Sequence, residues 1–245
     1  MNDKVLVIMP VYNKQEFLEN SIKSVLNQTH KNLILCIVDD HSTDSSLSIA
    51  KKYAKKDSRV SVLSNPINSG CYRTRNKGLH DNAKIDWNFF TIHDADDTSD
   101  PDRISYTLNL FKDSSIIGLK STYERINQKG EIQMCELNPD KADVYSSEGI
   151  AFFRRFVFDN LGYYDDTRFS GDTDYWWRLE HFCTFNPQYR VASCLKPMYK
   201  ALSHSSNLTK IYTFEKDRPE YFTKCHMDLE KMLQLRNFYR KPTLG

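Results

Sequence analysis

The sequence predicts an α/β fold with a mainly parallel central sheet flanked by helices. Two observations carry this. Over the first hundred residues, short apolar runs alternate with segments whose apolar residues recur at helical spacing. Alternation of that kind builds a parallel sheet covered on both faces. The apolar runs also give way to polar or acidic residues, and open α/β sheets bind ligands at the carboxyl ends of their strands.

The elements follow in order. Val5 to Met9 is a continuous apolar run, as expected of a strand buried on both sides. Leu18, Ile22, Val25 and Leu26 then lay one stripe on a helix. Leu33 to Val38 reads as a second strand and Asp44 to Lys56 as a second helix. Val60 to Leu63 is a third strand, Arg73 to Asn82 a third helix, and Trp87 to Ile92 a fourth strand. Beyond Pro101 the alternation weakens. Arg103 to Phe111 reads as helix, and Ile116 to Tyr123 and Glu131 to Met134 as strands joined by the Asn127–Gly130 turn. Asn138 to Ser147 reads as a loop, and Gly149 to Asn160 and Thr173 to Cys183 as helices. The charged segment from Phe214 onward is also helix-like.

Composition narrows the function. The 245 residues carry 34 Lys plus Arg against 32 Asp plus Glu. A net charge of +2 makes no case for a nucleic-acid partner. The six cysteines form no Cys-x-x-Cys pair and no zinc spacing. They read as reduced thiols of an intracellular protein. No signal peptide and no stretch long enough to span a membrane is visible. The expected location is cytoplasmic, with a peripheral place at a membrane surface left open.

Four groups of residues carry chemistry. Pro10-Val11-Tyr12-Asn13 follows the first strand. Proline cannot continue a central strand, so a turn is expected there, presenting the Tyr12 ring for stacking or simply to solvent. Asp39 and Asp40 end the second strand, with Thr43 or Asp44 available to cap the next helix. His93-Asp94-Ala95-Asp96-Asp97 ends the fourth. Residues two apart on an extended chain share a face, so Asp94 and Asp96 point together. Carboxylates crowded there are costly without a cation, and hard oxygen ligands favour Mg²⁺ or Mn²⁺; the bland alternative is a solvated acidic turn. Lastly, Gly171-Asp172 opens a segment carrying Trp176, Trp177 and Arg178. Asp172 is either a helix cap or a carboxylate placed to take a proton, and the tryptophans either core or the wall of a sugar site. Between these groups, Gly70 permits a tight turn and Arg73 and Arg75 can reach a diphosphate or lie on a helix surface.

Taken together, these motifs over residues 4 to 209 resemble the inverting family 2 glycosyltransferases of the GT-A fold. The resemblance implies one catalytic domain over 1–211, with a nucleotide-binding half to residue 100 and an acceptor-binding half from 101. A helical extension over 212–245 is the expected surface for any homodimer. Pro10, Tyr12 and Asn13 match the nucleoside pocket, and Asp40 the contact to the base, usually uracil. Asp94 and Asp96 match the ribose- and metal-binding aspartates, with Asp96 the direct ligand of Mn²⁺ or Mg²⁺ and Asp97 and His204 as further metal candidates. Arg73 and Arg75 match the diphosphate side. Asp172 matches the catalytic base, and Gly171, Trp176 and Trp177 fall where the acceptor binds. Gly171 replaces an acidic residue common before the base, and Tyr199 to Ser203 departs from the usual spacing to the late histidine.

The implied reaction moves a sugar from a nucleoside diphosphate donor to a hydroxyl of a glycan, lipid or protein. Two alternatives stay open. A sugar-phosphate nucleotidyltransferase should carry a glycine-rich loop after the first strand, where this chain has Pro10 to Asn13. A catalytically silent nucleotide-sugar binding module would not need both Asp96 and Asp172.

Overall fold

A computed structural model describes residues 3–133, 144–167 and 170–204. The first four strands are β1 (Val5–Val11), β2 (Leu33–Asp39), β3 (Val60–Ser64) and β4 (Phe89–Ile92). They lie side by side in the order β3-β2-β1-β4, all parallel. Helices α1 (Leu18–Leu26), α2 (Ser46–Ala54) and α3 (Cys71–Asp81) connect them. Successive residues of β1 point to opposite faces. Val5, Val7 and Met9 pack with Leu18, Ile22 and Val25 of α1. Leu6 and Ile8 pack with Leu79 of α3 on the other side. Each such fully buried side chain contributes about 1.5–3 kcal/mol relative to exposure.

The second half adds β5 (Thr98–Ser99), α4 (Arg103–Leu110), β6 (Ile116–Ile126), β7 (Val144–Arg154), α5 (Arg155–Leu161), α6 (Gly171–Phe185), β8 (Arg190–Ser193) and β9 (Tyr199–Leu202). The sheet continues β4-β7-β6-β9-β5, with β8 pairing β6. β7 runs antiparallel to both neighbours, so the sheet is mixed beyond its parallel half.

Four expectations need correction. The loop expected over Asn138 to Ser147 gives way to strand from Val144, its residues up to 143 lying outside the described residues. Gly149 to Arg154 is strand, and helix begins only at Arg155. Ile150 to Phe153 are all buried because β7 is covered on both faces, which gives the same unbroken apolar run as a core helix. Pro10 lies inside β1, in register with Val38 of β2. The β4 ladder ends at Ile8–Ile92. The N–H that Pro10 lacks would point to the side where that ladder has stopped, and the turn comes at Tyr12 and Asn13. Of the strand expected over Glu131 to Met134, residues 131–133 carry a single bridge, between Ile126 and Ile132, and Met134 lies outside the described residues.

Among the described residues, no helix is long and apolar enough to cross a membrane, and Cys36, Cys71, Cys183 and Cys194 are free thiols. The expected 212–245 extension lies outside the described residues.

Candidate active site

The parallel strands end on one edge, and three loops meet there. In the first, Asn13 takes a left-handed backbone (φ 51°). Its Oδ1 accepts the Thr43 N–H at 2.8 Å, and its own N–H donates to Ser42 Oγ at 3.1 Å. That ties the β1 turn to the β2 turn. Tyr12 beside it is 46% exposed, leaving its ring free to stack. His41 and Ser170, the other non-glycine residues of positive φ among those described, also sit in loops of this region. Such conformations cost about 1–2 kcal/mol each and collect where function fixes the backbone.

Asp40 is buried and holds the β3–α3 loop. Its Oδ1 accepts from Asn65 Nδ2 (2.7 Å) and the Ser69 N–H (2.8 Å), and its Oδ2 from the Gly70 N–H (2.9 Å). A carboxylate has about four acceptor positions, so one is left over for a base. Replacing Asp40 by Ala strands three donors at about 1–3 kcal/mol. We expect a melting temperature lower on the order of 5–10 °C, read by differential scanning calorimetry.

The two arginines part company. Residues two apart on a helix do not share a face. Arg73 points outward and pairs through both Nε and Nη2 with Asp166, so it is committed away from the acidic loop. Arg75 is buried, with Nη2 3.6 Å from Asp94 Oδ1 and its guanidinium over the rings of Tyr72 and Tyr164 at 5.1 and 5.7 Å. Its Nε and Nη1 lack hydrogen-bond partners.

The acidic loop after β4 divides its labour. Asp96 Oδ2 receives Lys14 Nζ at 2.6 Å and lies 2.9 Å from His204 Nε2. Burial would raise its carboxyl pKa, but Lys14 and His204 hold it below the usual carboxylate range. The His204 ring stacks on Phe17 with centroids 4.5 Å apart. Asp97 is buried, and its Oδ1 accepts the Leu202 N–H at 2.8 Å. Burial first, then Asp94 and Asp96, push its pKa well up. It anchors β9.

A divalent ion fits Asp96 and His204 only as a site that substrate completes. Among the described residues, no three His, Cys, Asp or Glu side chains cluster in ligand geometry. Mg²⁺-type sites with one or two protein ligands plus substrate phosphates are common. Lys14 holds the same Asp96 oxygen and must yield to such an ion.

His93 underlies this loop, fully buried, between Ser21 Oγ (3.3 Å) and Ser99 Oγ (2.9 Å). Burial, then Arg103, depress its pKa to about 3. Below about pH 6.5 the unfolded chain binds a proton that the folded chain refuses. Stability therefore falls as pH drops from about 6.5 toward 3, by up to about 1.4 kcal/mol per unit. Melting curves of His93→Gln should show a shallower loss of stability between pH 6.5 and 5 than wild type.

Asp172 enters from α6, one residue inside its N-terminus, where a negative charge is favoured. Its Oδ1 accepts the Tyr72 O–H at 2.8 Å and the Thr173 N–H at 3.0 Å. A Cβ on Gly149 would stand 2.8 Å from Asp172 Oδ2. Asp172 and Asp94 act electrostatically on the same Arg75 and on each other. Trp176 does not line this site. It is 1% exposed in the core under α6, with Nε1 donating to Glu180. Trp177 is partly buried against the same core, and Gly171 is buried against Tyr72.

Sequence reasoning missed Lys14, Tyr72, His93 and Gly149. Lys14 and Tyr72 stood inside or beside quoted motifs, but nothing local marks their partners. Gly149 lay in a stretch read as helix.

Comparison with known proteins agrees with this architecture. A Haemophilus influenzae protein described as an uncharacterized glycosyltransferase is 33% identical over 126 residues, covering 51% of this chain and 49% of its own length. Glycosyltransferase GlyA of Streptococcus pneumoniae is 35% identical over 112 residues, 46% of this chain and 15% of that protein. The chain thus spans half or less of these relatives. S. aureus TarS 1-349 in complex with UDP-GlcNAc superposes with a TM-score of 0.64 at 20% identity, over 83% of this chain and 60% of that one. The mannosyltransferase PcManGT of Pyrobaculum calidifontis, in complex with GDP-Man and Mn²⁺, gives 0.61 at 15% identity, over 82% and 56%. Residues 6–162, more than half of the chain, match the family described as glycosyl transferase family 2. The chain belongs to glycosyl transferase family 2 and has its GT-A-type fold.

Proposed function

We propose that the protein transfers a sugar from a UDP-linked donor to an acceptor hydroxyl by one inverting displacement. The observation that carries this is that Asp172 and Asp94 both lie within electrostatic reach of the buried Arg75. A base on one side and charge-compensating groups on the other are what an in-line displacement needs.

In this scheme Tyr12 stacks on the base, Asp40 accepts from it, and Asp94 accepts from the ribose. Asp172 Oδ2 takes the proton of the acceptor hydroxyl as that oxygen attacks the anomeric carbon, and the nucleoside diphosphate departs on the opposite face. Arg75 lies nearest to compensate the charge on the diphosphate. Asp96 and His204, with diphosphate oxygens, would hold Mn²⁺ or Mg²⁺, which neutralises charge on the leaving group. The UDP complex of TarS and the Mn²⁺ complex of PcManGT support these choices by likeness of fold.

The test is a screen of UDP-, GDP- and dTDP-sugars with Mn²⁺, Mg²⁺ or EDTA, scored by release of nucleoside diphosphate. Cation-dependent release from a UDP-sugar is expected. Binding without release across all donors and a broad acceptor set would return the chain to a silent binding module.

A further inference from the structure

We propose that Tyr72 is a positioning residue for Asp172, holding one carboxylate oxygen so that the other faces the acceptor. The proposal rests on the reading of Asp172 as base. Three contacts carry it. Tyr72 O–H donates to Asp172 Oδ1 at 2.8 Å, across 100 positions of sequence. The Thr173 N–H donates to the same oxygen at 3.0 Å. Oδ1 is thereby committed twice, and Oδ2 is left beside Gly149, where any Cβ would approach to 2.8 Å. Glycine at 149 keeps the space in front of the reacting oxygen clear.

The tyrosine is itself held. A Cβ on Gly171 would meet Tyr72 Cγ and Cδ1 at 2.9 Å. Glycine at 171, where an acidic residue was expected, lets the ring lie against the start of α6. On its other side the ring faces the Arg75 guanidinium at 5.1 Å and Tyr164 at 6.0 Å. Burial, with Asp172 beside it, pushes the Tyr72 hydroxyl well above the ordinary tyrosine range. It stays a neutral donor throughout the working range of pH. The charged or titratable groups that act on Asp172 are Cys71, Tyr72 and Arg75 of α3, Asp94 of the acidic loop and Tyr164 before α6.

An O–H donated to a carboxylate favours its ionised form and fixes its rotamer. Removing it should misplace the base. Tyr72→Phe keeps the ring and its packing on Gly171, so folding is preserved. On the donor selected by the screen, kcat should fall about 10- to 100-fold. The donor KM and the affinity for UDP by calorimetry should stay within about 2-fold. In an Asp172→Asn background, Tyr72→Phe should cost nothing further, because the two act as one unit. Gly171→Ala, which displaces the ring, should reproduce the same split between kcat and KM. Wild-type kcat in Tyr72→Phe would overturn the proposal and leave the base assignment standing. So would an undiminished loss in the Asp172→Asn background. Wild-type turnover by Asp172→Asn alone would instead remove the base assignment.

Discussion

Asp172→Asn is expected to lower kcat by about 10²–10⁴-fold while leaving UDP affinity within about 2-fold of wild type. Asparagine keeps the shape of the side chain and still accepts the Tyr72 O–H, so the start of α6 should not move. What it loses is the ability to take a proton. The proposed donor contacts lie on the strand-end loops of Tyr12, Asp40 and Asp94, which this change does not touch. Asp174 supplies the control. Two residues on in the same helix, it is paired with Arg178 Nε at 2.9 Å. Asp174→Asn should therefore cost stability but little turnover. Steady-state kinetics with calorimetric UDP titration separate the two. Turnover within about 3-fold of wild type in Asp172→Asn would place the base elsewhere.

Much of this architecture could be read from residue order. The run Val5 to Met9 and the stripe Leu18, Ile22, Val25 each announce an element, because burial on two faces and burial on one leave different periodicities. Topology then points to the strand ends as the place for a candidate site. β7 was not legible: Ile150 to Phe153 is an apolar run that suits a buried strand and a core helix equally. β5 and β9, of two and four residues, were too short to show a period. Yet they bring His204 to Asp96, since β9 pairs with β5 just beyond the acidic loop. Within the site, residue chemistry marked the carboxylates but not what they touch. Lys14 meets Asp96 across 82 positions. Arg73 and Arg75 looked alike as motif residues, but a two-residue step on a helix sends one to solvent and the other inward. The same geometry separates Trp176, fully in the core, from Trp177 at its edge.

Asp96→Asn should abolish the response to added Mn²⁺ or Mg²⁺ and lower turnover by about 10²-fold or more, the effect of losing a charge that stabilises the leaving group. Asp96 offers one anionic oxygen to two cationic or potentially cationic groups, Lys14 and His204. In asparagine that centre is neutral. Lys14 then loses its partner, and because both side chains are only partly exposed, at 20% and 12%, the fold should weaken by about 1–2 kcal/mol. The carboxyl is held below its usual range by these partners, so its stabilising contribution is complete above about pH 4 and disappears as pH falls through the lowered value. Asp96→Asn should accordingly show less acid sensitivity than wild type below pH 4, read by thermal melts. The released Lys14 ammonium is free to turn to a diphosphate, so UDP affinity measured in EDTA should hold or rise while cation-stimulated turnover vanishes. Loss of UDP affinity in EDTA would mean that Asp96 organises the nucleotide pocket itself. A retained cation response would mean that the ion is held without Asp96, and the leaving-group side of the site would have to be redrawn around Asp94 and Arg75.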